Sequence, residues 1–208
     1  DTAMYRAKQL GKRRSVVFES HMHTASFDRL ELRADLARAI ETEQFVAHYQ
    51  PIVELATRKI VGCEALIRWQ HPHRGLLSPA IFVPLAEESG LISQMGEWMM
   101  ERACRDLSDW RSSMPQLADP LTISVNLTAQ EVHGERLVPV VTDILRRTGL
   151  PADRLVLEVT ESNLLSDTEV IQERMQKLRA LGTRLAIDDF GTGYSSLGYI
   201  QRFAFDVL

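Results

Sequence analysis

Glu64, Asn126, Glu158, Glu161 and the adjacent pair Asp188-Asp189 are the side chains of this sequence best suited to act together. Each lies at or near the end of a short apolar run, and each offers an oxygen. Oxygen donors delivered from successive strand ends to one face of a β/α barrel are what a hard divalent cation requires. Neighbouring carboxylates such as Asp188 and Asp189 can each take one ion of a two-metal site, with the ions ~3.5–4 Å apart. Arg68 adds a planar guanidinium fork of the kind that grips phosphate. The chemistry indicated is metal-assisted hydrolysis of a phosphoester.

Each of these residues also has a plainer explanation. Period two over 59–68 puts Glu64, Leu66 and Arg68 on one face and Cys63, Ala65 and Ile67 on the other. The apolar set should face helices, so Glu64 and Arg68 point inward, where an unpaired charge is costly. They are then either a structural ion pair or a metal ligand beside a phosphate contact. Asn126 alone passes for a turn or cap residue. Asp188-Asp189 alone passes for a solvated acidic turn, and Gly191-Thr192-Gly193 is by itself weak evidence for a phosphate cradle. Glu158, inside the apolar run 155–159, is harder to dismiss, while Glu161 just beyond it can brace a loop. Recurrence on successive strand ends favours the functional reading. His48, His71 and His73 lack the spacing of a zinc site, and Trp98, Met99 and Met100 read as helix core.

The elements that must position these groups alternate. Apolar positions Leu32, Leu36, Ala39 and Ile40 predict a helix over 30–40. Strands are expected at 45–53, 59–68, 121–127, 154–159, 184–188 and 203–208, with helices at about 79–90, 94–112, 135–148, 168–181 and 195–201. Ser78-Pro79 is a helix start and Gly149-Leu150-Pro151 a stop. Alternation argues for a mainly parallel sheet, but the first two strands are linked too briefly for a crossover and should form an antiparallel hairpin. The expected architecture is α/β, an incomplete modified TIM (β/α)8 barrel with one antiparallel strand and about six of eight strands present.

Composition bounds the rest. With 45% apolar and 25% charged residues the chain can bury a core without disulfides or a structural metal. A net charge of −4 with both signs interspersed excludes a duplex nucleic-acid binder. An anionic ligand would therefore need local arginine or metal charge. Cys63 and Cys104 have no metal spacing and read as reduced core thiols of a cytoplasmic protein. No apolar run approaches the ~18 residues of a membrane span, and any tether to a membrane would lie in upstream segments. Both ends of the chain read as cuts in a longer protein, and a fragment with open sheet edges is expected to be poorly soluble.

Taken together, these residues resemble the EAL family of cyclic-di-GMP phosphodiesterases. The resemblance rests on Tyr49-Gln50-Pro51-Ile52, Glu64 through Trp69, Phe82 through Gly90, Ser124-Val125-Asn126-Leu127, Leu157-Glu158-Val159-Thr160-Glu161, and Asp188 through Leu197. It implies that Glu64, Asn126, Glu158 and Asp188 are ligands of a first Mg2+ or Mn2+, and that Asp189 serves a second. Glu64, Glu161 and Asp189 take the catalytic positions, with Glu161 bracing the loop after Asp189, a loop that in the family also supports a homodimer. Gln50 and Arg68 take the substrate contacts. Thr128 stands where the family more often has Ser. The family's water-activating Lys is expected beyond Leu208, so the chain by itself is expected to be inactive. Residues 1–18 resemble the end of a GGDEF diguanylate-cyclase domain. The implied layout is a GGDEF remnant at 1–20, a linker at 21–28 and an EAL domain at 29–208, with sensory domains upstream in cis. The implied reaction is hydrolysis of cyclic-di-GMP to linear pGpG. The rival expectations are a degenerate EAL domain that senses cyclic-di-GMP without cleaving it, and a scaffold that binds no nucleotide.

Overall fold

The structure, a computed structural model, describes residues 20–164, 168–188, 203 and 205–207. In chain order its elements begin with α1 (Ser20–Glu41), β1 (Phe45–Val53), β2 (Ile60–His71), β3 (Gly75–Leu77), α2 (Pro79–Ser89), α3 (Ile92–Ser113) and α4 (Pro115–Ala118). There follow β4 (Thr122–Leu127), α5 (Ala129–His133), α6 (Leu137–Thr148), β5 (Leu155–Thr160), α7 (Thr168–Ala180) and β6 (Arg184–Asp188). Short 3-10 turns at Ala152–Arg154 and Glu161–Leu164 flank β5. None of the described helices is long and apolar enough to cross a membrane. Contacts divide the described residues into two units, 20–45 with 69–91, and 46–68 with those from 92 onward.

In the first unit the predicted stripe Leu32, Leu36 and Ala39 is buried. The helix carrying it starts at Ser20, so the stretch expected as a linker or helical connector is helical. Phe45, Trp69 and Phe82 pack with ring centroids 5.9–6.1 Å apart. Trp69 is wholly buried, and its one donor, the indole N–H, reaches Gln44 Oε1 at 3.0 Å. His71 is equally committed: its Nδ1 accepts from the His73 N–H at 3.1 Å, which puts its proton on Nε2, 3.2 Å from Asp35 Oδ2. Helix α2 starts at the predicted Pro79 and stops at Gly90, whose φ of 74° is the left-handed cap that glycine adopts without a Cβ clash.

The second unit holds a sheet in the order β1-β2-β4-β5-β6, open among the described residues. Strands β2, β4, β5 and β6 are parallel. Glu54 N–H donates to Lys59 O at 2.9 Å across the β1–β2 turn, where Arg58 takes a φ of 57°, so the short link closes the hairpin expected of it. Cys63, Ala65, Ile123, Val125, Leu127, Leu155, Leu157, Val159, Leu185 and Ile187 all sit in one buried cluster. Met99, Ala103 and Leu107 of α3, Val141 and Ile144 of α6, and Ile171, Met175 and Leu178 of α7 complete it. This is the helix-facing side predicted from period two. Beyond β6, Ile187 N–H donates to Val207 O at 3.2 Å in a parallel bridge, in the stretch expected as a further strand. The expected helix at 195–201 and the Gly191-Thr192-Gly193 loop lie outside the described residues, as do residues 1–19.

Three short elements, β3, α4 and α5, were not predicted, because three to five residues are too few to show a period. Helix α5 has a local signal nonetheless. Thr128 and Glu131 form a capping box: the Glu131 carboxylate accepts from the Thr128 N–H at 2.8 Å and from its hydroxyl at 2.7 Å. Thr here does the work a Ser would do. Burial holds the Glu131 carboxyl above its usual range despite those two donors. A Cβ built on Gly96 of α3 would fall on this carboxylate.

Gly96→Ala should therefore reverse the usual sign for a helix interior. In place of a gain of about 1 kcal/mol from propensity, it should cost about 1–3 kcal/mol through overpacking. Urea denaturation measures it, and a stabilised variant would contradict the packing. Burial pushes the Cys63 thiol up to about 11 and the Cys104 thiol up to about 12. Both should thus remain protonated and unalkylated in the native protein at pH 8 and react promptly on denaturation, which a timed iodoacetamide assay reads.

Candidate active site

Cross-strand register builds the site. Glu64 of β2 is level with Ser124 of β4, which is level with Val156 of β5 and, through it, Arg184 of β6. One step of two residues along, Asn126 is level with Glu158 and Ala186; one further, Thr160 is level with Asp188. Because side chains alternate along a strand and register partners share a face, all of these point away from the apolar cluster. Glu64, Asn126, Glu158 and Asp188 therefore share one sheet face on four consecutive strands. Strands β2 and β5 flank β4 and are about 10 Å apart, a gap two glutamate side chains can span.

The polar groups on this face interlock across β4. Asn126 Nδ2 donates to Glu64 Oε1 at 2.7 Å. On the other flank lies Glu158, with Ser124 buried on the same face one step of two residues back along β4. Burial raises the Glu158 carboxyl above the ordinary glutamate value; the nearby Ser124 hydroxyl opposes that shift, while the charges of Glu64 and Asp188 add to it. Three carboxylates thus feel one another. Ser124 escaped the sequence reading, although the signal was there: a small polar residue two positions before Asn126, on its face of an otherwise apolar strand.

The other expected residues are distributed as follows. Arg68 is not ion-paired with Glu64; its Nη1 donates to Ile67 O at 2.9 Å. The structural ion pair is therefore not what places these two residues. Gln50 is exposed on β1, on the face opposite Tyr49, whose hydroxyl donates to Asp106 at 2.5 Å and whose ring packs edge-on against Trp110. Glu161 is only 5% exposed and opens the 3-10 turn after β5. Asp189 lies outside the described residues, and with it the expected loop contact of Glu161.

Among the described residues, no three Asp, Glu, His or Cys side chains close on a common point at metal-ligand distance. The backbone register places Glu64, Glu158 and Asp188 on one face, on strands β2, β5 and β6. The donor set fits a hard cation: three carboxylates plus the Asn126 amide, whose N–H is directed to Glu64 so that its Oδ1 is the oxygen it can offer. No thiol competes, since both cysteines belong to the helix-facing core.

MucR of Pseudomonas aeruginosa, a bifunctional diguanylate cyclase/cyclic di-GMP phosphodiesterase, is 44% identical over 202 residues, 97% of this chain. NbdA of the same species, a cyclic di-GMP phosphodiesterase, is 39% identical over 206 residues. The chain spans 29% and 26% of their lengths, so each relative is a much longer protein. The structure of the PaMucR phosphodiesterase in complex with c-di-GMP superposes with a TM-score of 0.80 at 42% identity, covering 84% of this chain and 70% of that one. Its EAL fold, TIM-barrel-like, is the class expected from the sequence. The EAL domain family's sequence profile matches residues 33–208, the stretch that carries every strand of the sheet and every group on its polar face, and the chain belongs to that family.

Proposed function

We propose that the protein containing this chain is a metal-dependent phosphodiesterase that opens cyclic-di-GMP to linear pGpG, with Mg2+ or Mn2+ as the cation. The observation that carries this reading is the convergence of Glu64, Asn126, Glu158 and Asp188 on one sheet face, with the Glu158 carboxyl raised first by burial and further by its carboxylate neighbours. The activities of MucR and NbdA support it. A bound divalent cation supplies charge neutralisation at the phosphoryl oxygens and a more acidic water.

The chain's own residues supply position. Glu64, Asn126, Glu158 and Asp188 hold the first cation from rigid strands, and Asp189 contributes to a second. Arg68 presents its guanidinium to a phosphate of the dinucleotide, and Gln50 supplies a further polar contact. Glu161, buried where β5 ends, fixes the loop that follows Asp189. In the same reading, residues 1–20 close a GGDEF domain, further sensory domains lie upstream in cis, the EAL domain pairs with a second copy, and the protein works in the cytoplasm.

Three outcomes test the proposal on the full-length protein. Mg2+ or Mn2+ should support conversion of cyclic-di-GMP to the linear dinucleotide, followed by chromatography, and Ca2+ should not; binding without turnover would make the domain a sensor instead. Glu64→Ala should lower turnover more than about 100-fold through metal loss, and near-normal rates would remove Glu64 from the site. Because a raised pKa keeps a carboxyl protonated to higher pH, apparent Mn2+ affinity should fall on acidification sooner than an ordinary glutamate ligand would allow. Glu158→Gln should flatten that dependence, read by Mn2+ titration across pH.

A further inference from the structure

We infer that Tyr49 is a positioning residue: its anchor on α3 holds Gln50 in place on the opposite face of β1. The inference rests on the reading of Gln50 as a contact to cyclic-di-GMP and goes beyond it by naming what holds that contact. The two residues are adjacent, so alternation along the strand puts them on opposite faces. Gln50 is exposed, while Tyr49 packs against the helix-facing core. The Tyr49 hydroxyl donates to Asp106 Oδ2 of α3 at 2.5 Å. Its ring lies edge-on to Trp110, one turn further along the same helix, with centroids 4.8 Å apart and planes at 79°. Arg102, one turn before Asp106, donates its Nε–H to the same Oδ2 at 2.9 Å. Residues 102, 106 and 110 thus make one ridge of α3 that receives Tyr49.

The strand needs such a hold. Among the described residues β1 is the outer strand of its sheet and pairs with β2 alone. Pro51, next after Gln50, has no N–H to add to a ladder. Ala47 packs on the same side as Tyr49 but offers no polar anchor. A carboxylate acceptor makes the Tyr49 bond one of the stronger kind, and Arg102 keeps that acceptor from turning away. Burial, and the carboxylate beside it, push the phenol above the usual tyrosine range, so it stays protonated and donating at neutral pH. A contact residue is only as well placed as the segment that carries it, and small misplacements cost binding of the substrate.

The test is a double-mutant cycle on the full-length protein, read as KM and kcat for cyclic-di-GMP, or as Kd if the wild type binds without turnover. Tyr49→Phe keeps the ring against Trp110 and leaves Asp106 its bond from Arg102, so the anchor alone is removed. It should raise KM about 3–10-fold and leave kcat within about two-fold. In a Gln50→Ala background the same substitution should change KM little, because the contact it positions is gone. Asp106→Ala should raise KM as Tyr49→Phe does, and Asp106→Asn, which keeps an acceptor oxygen, should give back most of the loss. Equal rises in KM with and without Gln50 would overturn the inference and leave Tyr49 a packing residue. So would an unchanged KM in Tyr49→Phe beside a raised one in Gln50→Ala. If Gln50→Ala itself leaves KM unchanged, the reading of Gln50 falls and this inference with it. Should Tyr49→Phe not fold, the cycle run with Asp106→Ala makes the same comparison.

Discussion

Everything at this site depends on parallel register between β2, β4, β5 and β6. Alternation of side chains along each strand, held in step by that register, sorts the sheet into one apolar face and one that gathers acids. A slip of one residue would drive a carboxylate of β2, β5 or β6, or Asn126 of β4, into the core beneath α3, α6 or α7. The apolar face thus enforces the geometry of the polar one. Cys63, Ala65, Val125, Leu157 and Ile187 matter to the chemistry because they leave Glu64, Asn126, Glu158 and Asp188 no other side to occupy.

Gathering carboxylates on one face is unfavourable, and the protein manages it locally. Glu64 receives a donor from Asn126, on the strand beside it. This hydrogen bond offsets part of the cost of a charge on this face without neutralising the cluster. What results is a set of acids held in place but still mutually repelling, a state that favours a divalent cation. Further from the site, the same logic of satisfied groups recurs: Thr128 and Glu131 close the cap where β4 hands over to α5, and Gly96 leaves room for that carboxylate.

Much of this was legible in the sequence, for identifiable reasons. Apolar runs between helical stretches marked the strands at 45–53 and 184–188, helical spacing marked the stripe of Leu32, Leu36 and Ala39, and a charge within an apolar run marked Glu64 and Glu158. The short β1–β2 link revealed the hairpin. What escaped was of two kinds. Elements of three to five residues, such as β3 and α5, carry no period. A polar side chain such as Ser124 looks ordinary until register shows that it shares a face with Glu64 and Asn126. The sequence also left open an ion pair between Glu64 and Arg68, which the structure resolves by giving each a different partner.

The central claim is that these strand-borne oxygens share a divalent cation. The most direct measurement is an anomalous difference map from crystals of the full-length protein or its complete EAL domain grown with Mn2+. A peak about 2.0–2.4 Å from carboxylate oxygens of Glu64, Glu158 and Asp188 and from Asn126 Oδ1 is the result predicted. A Mn2+ peak held by other residues, or none at this face under conditions where the protein hydrolyses cyclic-di-GMP, would contradict it.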